Sequence, residues 1–165
     1  MIIISQPFVD RSKWPKGPWD DEPDKMNWTT KAGLPGMIVR SEIMGNLCGY
    51  AAVPSSHPWH GLTFRDAKIL MRISVHGGLT YSAPCEGRIC HKAVADEEDD
   101  VWWFGFDCCH GMDLAPMMVG MFKDMPFSLS SIGKYRDVAY VYGEVEDLAK
   151  QLVAIDKGGN HDGED

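Results

Sequence analysis

Between Lys134 and Ile155 the chain carries one long apolar stripe. Val138, Val141, Tyr142, Val145, Leu148, Ala149, Leu152 and Ile155 recur at i, i+3 and i+4 spacing, the period of a helix with one face turned to a core. Glu146 and Lys150 form an i,i+4 pair in the favourable order. Ser130 or Ser131 is placed to cap the start. Alone in water such a helix is marginal, so it must dock its stripe on an apolar surface made by the rest of the chain.

That surface reads as strands. Met37–Met44 and Leu47–Val53 flank Gly45-Asn46, a pair suited to a two-residue hairpin turn with Gly first. Leu70–His76 alternates, with Met71, Ile73 and Val75 on one face and Arg72, Ser74 and His76 on the other. Gly77-Gly78 then turns the chain into Leu79-Thr80-Tyr81. Val101–Phe106 is aromatic and apolar, a buried central strand whose Gly105 allows close approach of another group. The fold class expected is α+β, an antiparallel sheet of about five strands with the long C-terminal helix packed on one face.

Residues 5–36 hold Trp14-Pro15-Lys16-Gly17-Pro18-Trp19 and Glu22-Pro23-Asp24-Lys25. Proline excludes helix interiors and central strands, so residues 1–36 are expected to form an irregular arm covering a sheet edge. Trp14, Trp19 and Trp28 would anchor it. Residues 1–156 are taken as one domain, and the polar tail 157–165 as disordered. With 44% hydrophobic residues in 165, the chain has material for its own core.

Charge and hydropathy exclude several function classes. Asp and Glu number 24 against 16 Lys and Arg, a formal charge of −8, which repels duplex nucleic acid. The acidic run Asp96–Asp100 reads as a solvated loop. No apolar run nears the ~20 residues of a membrane span. Met1–Ser5 lacks the basic start and apolar length of a signal peptide. A cytoplasmic protein is expected. Its cysteines, Cys48, Cys85, Cys90, Cys108 and Cys109, are odd in number with two adjacent, and are read as reduced thiols.

Two segments concentrate chemistry. In His76-Gly77-Gly78-Leu79-Thr80-Tyr81, two glycines expose backbone N–H groups beside an imidazole and two hydroxyls. In Trp102–Asp113, an apolar strand leads into Asp107, Cys108, Cys109, His110 and Asp113, at a strand end where a rigid scaffold presents functional groups. A carboxylate beside an imidazole fixes its tautomer and suits it to general base work.

Three chemistries fit these residues. Asp107, His110 and Asp113, with His76, could hold a divalent metal for hydrolysis, and the mixed His and carboxylate set suits a catalytic site. Cys85 and Cys90 with Cys108 and His110 could hold structural zinc, although the C-x4-C spacing lies just outside the usual range. Cys108 could be a nucleophile helped by His76. Asp107-Cys108 before small residues resembles the NlpC/P60 peptidases, but those place the histidine after the cysteine. His57 and His60, in Ser56–Gly61, are expected on a solvent-exposed loop.

Taken together, Gly17-Pro18-Trp19, Glu22–Lys25, Leu47-Cys48-Gly49-Tyr50, Val53-Pro54, His57-Pro58, His76–Tyr81, Trp102–Cys108 with His110 and Asp113, and Tyr135-Arg136-Asp137 resemble a family of small phage and bacterial proteins. The resemblance spans most of the chain. It implies a phage or prophage origin and brings no activity with it. Cys85, Cys90 and Cys109 fall outside that family's pattern.

The leading expectation is a module that binds a small polar or nucleotide-like ligand through His76, Gly77, Gly78, Thr80, Tyr81, Trp103, Asp107, Cys108 and His110, as a counter-defence protein would sequester a signal. Arg72 and Arg136 are the candidate cations. The alternatives are a hydrolase with His76, Asp107, His110 and Asp113 as catalytic residues and Asp107, His110 and Asp113 as metal ligands, or an inhibitor of a host protein.

Overall fold

The computed structural model describes residues 1–91, 100–126, 128, 131 and 133–158, with residues 156–158 described by backbone only. Asp96–Asp99 of the acidic run, Ser130, and residues 159–165 of the tail lie outside the described residues. The sheet has six antiparallel strands, one more than expected: β1 (Ile3–Ile4), β2 (Lys25–Thr29), β3 (Pro35–Arg40), β4 (Leu47–Pro54), β5 (Tyr81–Pro84) and β6 (Val101–Asp107), in the order β1-β2-β3-β4-β6-β5. Three short or long helices complete it: α1 (Ala67–Leu70), α2 (Pro116–Met121) and α3 (Val138–Gly158).

The apolar stripe is where its period put it. Val141, Val145, Leu148, Ala149 and Leu152 of α3 are fully buried against Ile38, Leu47, Ala51, Phe104 and Phe106 of one sheet face. Each large apolar side chain so buried contributes roughly 1.5–3 kcal/mol. Gly49 marks the crossing: a Cβ there would stand 2.4 Å from the Phe106 ring and 2.7 Å from Val145, so only glycine lets α3 settle this close. The helix starts later than expected. Its cap is Asp137, whose carboxylate accepts the Tyr140 N–H at 2.8 Å, and not Ser130 or Ser131.

Alternation sends Met37, Val39, Tyr50, Ala52 and Trp103 to the opposite face, where they form a second apolar cluster with Phe8, Cys48, Tyr81, Ile89 and Val101. Among the described residues, no helical residue belongs to it. Gly105 serves this face, since the Tyr50 ring lies where its Cβ would be.

Other expectations are corrected. The supposed irregular arm contains β1 and β2, and proline is tolerated because Pro35 opens β3 while Pro7, Pro15, Pro18 and Pro23 sit between strands. The β3–β4 connection is a six-residue loop, 41–46, closed by Ser41 N–H to Asn46 O at 2.8 Å and Gly45 N–H to Ser41 O at 3.1 Å. Leu70–His76 is not a strand. Its Ile73 and Val75 do pack on the core, but its backbone is satisfied by α3 side chains: Gln151 bonds both the N–H and the carbonyl of Ser74, at 2.8 and 2.9 Å, and Glu144 accepts the His76 N–H at 2.7 Å.

Cys85 and Cys90 are joined in a disulfide, which corrects the reading of five free thiols. The reason is local. Glu86 and Ile89 pair in a tight hairpin that brings the two Cα atoms to 4.6 Å, within disulfide range. Cys48, Cys108 and Cys109 are free.

Candidate functional site

The backbone brings the two chemistry-bearing segments together at the end of β6. Thr80 N–H bonds Gly105 O at 2.9 Å, which lays the 75–80 loop beside that strand. Beyond β6, Asp113 bridges to Lys134, with Leu114 N–H to Lys134 O at 3.0 Å. This carries Asp113 to the segment that starts α3.

A continuous polar network results. His76 Nε2 lies 2.7 Å from Asp113 Oδ2, and His76 Nδ1 lies 2.8 Å from the Tyr140 hydroxyl. With Asp113 ionised, Nε2 carries a proton, and in the neutral ring Nδ1 accepts the Tyr140 O–H. The same carboxylate accepts His110 N–H at 3.0 Å and Arg136 Nε–H at 3.1 Å. The His110 ring lies 5.7 Å from the His76 ring, and Thr80 Oγ1 donates to Asp107 Oδ2 at 3.0 Å. His76, Asp107, His110, Asp113 and Thr80 therefore meet.

His110 is held in an unusual way. Gly77 has φ +66°, and a Cβ there would stand 2.1 Å from His110 Nε2, so the ring rests directly on the Gly77 backbone. That nitrogen is buried yet makes no hydrogen bond among the described residues. It lies 3.5 Å from Asp107 Oδ1, close enough for attraction but without hydrogen-bond alignment.

The electrostatics follow from these contacts. Burial pushes the Asp113 carboxyl up, but hydrogen bonds from His76, His110 N–H and Arg136 outweigh it and hold the group below the ordinary carboxylate value. Burial and the neighbouring Glu144 raise the Tyr140 phenol, so it stays protonated. Arg136 spends one nitrogen on Asp113 and stacks its guanidinium 4.7 Å from the Tyr140 ring centre. Its terminal nitrogens have no partner among the described residues, and its side chain is 21% exposed.

Other predicted ligand-binding residues lie elsewhere. Trp103 is fully buried on the opposite face, because odd positions of β6 point away from α3. Tyr81 joins it there, edge-on to Tyr50 at 5.4 Å. Gly78 has φ +81° with open space around it. Cys108 is buried among the α3-facing core residues, and burial with the Asp113 charge drives its thiol far above the usual value. Such a thiol is no nucleophile. Burial and Asp107 likewise push Cys48 up to about 12. Arg72 lies by Trp59, Lys68 and Met71, away from the network. His57 is buried instead of exposed, with Nδ1 accepting Trp59 N–H at 3.0 Å and Nε2 meeting Leu152 O at 2.9 Å.

Tyr140 and Glu144 were missed by sequence reasoning. Their i,i+4 spacing beside the apolar stripe puts them on one flank of α3, a signal that points to the 74–76 loop only once that loop is known to lie there.

Among the described residues, no group of three or more His, Cys, Asp or Glu side chains is placed to hold a metal. Asp113 already accepts from three donors, and the disulfide removes Cys85 and Cys90 from any thiolate set. The residues of the network line neither the cleft of about 670 Å³ within the arm nor that of about 360 Å³ beside Trp28; they form a rim where β6 ends and α3 begins. No helix among the described residues is long and apolar enough to cross a membrane. No protein-family model, curated protein or solved structure compared with this chain matches it.

Proposed function

We propose that the protein binds a small polar ligand carrying an anionic group, of the nucleotide kind, at the rim formed by His76, His110, Arg136, Tyr140 and Thr80. The observation that carries this reading is the Arg136 guanidinium, 21% exposed with its terminal nitrogens open, beside a His110 ring whose Nε2 makes no hydrogen bond among the described residues. An anionic oxygen is the simplest partner for guanidinium nitrogens left open beside a histidine ring.

The carboxylates do not forbid an anion here. Asp113 is matched by Arg136 and His76, and Asp107 by Thr80 Oγ1 and Cys109 N–H. The Tyr140 and His76 rings, 5.5 Å apart and edge to face, offer apolar surface to a base or sugar. We place the protein in the cytoplasm of a phage host, where sequestering a nucleotide signal would counter defence, with no duplex nucleic acid as partner. A metal-dependent hydrolase finds no support in how the carboxylates are engaged.

Calorimetry with a panel of nucleoside mono- and diphosphates tests the proposal. Saturable heat that His110→Ala and Arg136→Gln both abolish is the expected result. No heat from any member, with folded protein, contradicts it.

A further inference from the structure

A disulfide-closed hairpin lies on the sheet face opposite α3. The disulfide Cys85–Cys90 ties a hairpin whose anchors reach three separate parts of the chain. Lys25 Nζ of β2 donates to Arg88 O at 2.6 Å and to Cys90 O at 2.8 Å. The Arg88 guanidinium sits 3.7 Å above the Phe8 ring of the arm, and its Nε meets Glu42 of the β3–β4 loop at 2.5 Å. Ile89 packs on the cluster of Met37, Val39, Tyr50, Ala52 and Trp103.

This is a demanding set of contacts for so short a segment. The two Lys25 bonds need two carbonyls two residues apart turned to one side, which the closed hairpin provides. Arg88 and Glu42 are each about half exposed, so their pair adds little on its own. The cover of the second apolar cluster therefore depends on the hairpin keeping its shape.

We infer that the Cys85–Cys90 pair is a redox clasp: the disulfide holds the 85–90 hairpin over the second sheet face, and its reduction loosens that cover while leaving the α3 face intact. The step is a two-electron exchange with a dithiol. The Cys85–Cys90 S–S bond breaks, each sulfur ends as a thiol with a proton from the dithiol, and the dithiol is oxidised to its own disulfide. In a cytoplasm such dithiols are present. The inference stands whether or not the histidine rim takes a ligand.

Hydrogen–deuterium exchange by mass spectrometry on the full chain tests it, before and after treatment with dithiothreitol, with thiol alkylation counting the sulfurs released. Reduction is expected to add two alkylation sites and to speed exchange at residues 85–91 and β5 at least tenfold, with α3 unchanged. The double variant Cys85→Ser, Cys90→Ser should show the reduced pattern without dithiol. The inference is overturned by an intact mass without the disulfide after oxidation. It is equally overturned if exchange in 85–91 and β5 does not change on reduction, or if the double variant matches the oxidised protein.

Discussion

Tyr135 and Arg136 are neighbours in the chain and enter two different polar networks, both of which grip the start of α3. Tyr135 belongs to the network of Arg40, whose guanidinium is wholly buried. Arg40 donates to Gly45 O at 2.9 Å, to the Tyr135 hydroxyl at 2.9 Å and to Glu22 at 2.9 Å, while its Nε lies 3.3 Å from Asp24. Asp24 also accepts the N–H groups of Phe8 and Val9, both at 2.9 Å, and is paired with Arg11. Glu22 accepts Val138 N–H at 2.8 Å, a negative charge at the positive end of α3. The buried Arg40 side chain seals this network from water, although its Nε makes no hydrogen bond, and the network ties the arm to the sheet and the sheet to the helix.

Arg136 belongs to the other network, and that one is unfinished. Its arginine keeps open nitrogens, and its His110 carries a nitrogen without a hydrogen bond. Two networks of similar composition, at one helix terminus, thus differ in exposure and in their arginine: Arg40 is wholly buried with both terminal nitrogens engaged, whereas Arg136 is 21% exposed with both open. A buried network with its charges matched sets structure; open donors at a surface rim invite a ligand.

The sharpest way to break this comparison is to remove a charge from the sealed network. Arg40→Met takes the buried cation away from Asp24 and Glu22, and should cost about 3–5 kcal/mol in urea unfolding. Arg40→Lys should recover little of it, because an ammonium cannot reproduce the guanidinium fork. If Arg40→Met costs less than ~1 kcal/mol, the seal is not structural.

The clasp is a second way to sharpen it. Closing so short a loop restrains the unfolded chain by about 2 kcal/mol, so the Cys85→Ser, Cys90→Ser variant should lose that much in thermal unfolding, without touching nucleotide heats.

Acid titration separates the networks less sharply. Asp24 and Asp113 are both held below the ordinary value of 3.8: burial opposes this in each, and hydrogen bonds win, from Val9, Arg11 and Phe8 in one case and from His76, His110 and Arg136 in the other. A carboxyl lowered on folding contributes stability that is complete above its unfolded pKa and is lost as pH falls through its folded one. Stability should therefore be flat from neutrality to about pH 5 and fall below about pH 4. Asp113→Asn should flatten that fall in part, measured as urea midpoint against pH.

The smallest stability effect is expected at the rim. His110→Ala removes a ring that is 36% exposed, and should change stability by less than ~1 kcal/mol. A loss above ~3 kcal/mol would make His110 structural and close the gap between the two networks.

How far the sequence revealed this arrangement depends on which forces decide each part. The α3 stripe was legible because burial imposes a 3.6-residue period on side chains alone. The meeting of His76 with Asp113 was expected from a strand end and a glycine turn, although the strand leading to His76 is no strand. Of the alternating face, Ile73 and Val75 are partly buried while Met71 is exposed, and the backbone of the intervening Ser74 and of His76 bonds to Gln151 and Glu144, partners 68 or more residues away that no local pattern names. Trp103 was misassigned because a strand's aromatic residues do not announce which face the helix will cover. The disulfide escaped because an odd cysteine count is global, whereas the Glu86–Ile89 pairing that joins Cys85 to Cys90 is local.

Side-chain nitrogen NMR of the histidines, during titration with a nucleoside diphosphate that gives heat in calorimetry, tests the central claim most directly. It reads His110, His76 and the sealed His57 in one spectrum. The account predicts saturable shifts of the His110 and His76 nitrogens, an unmoved His57, and loss of both shifts in Arg136→Gln. Unmoved His110 nitrogens at saturating ligand, or shifts that survive Arg136→Gln unchanged, would contradict it.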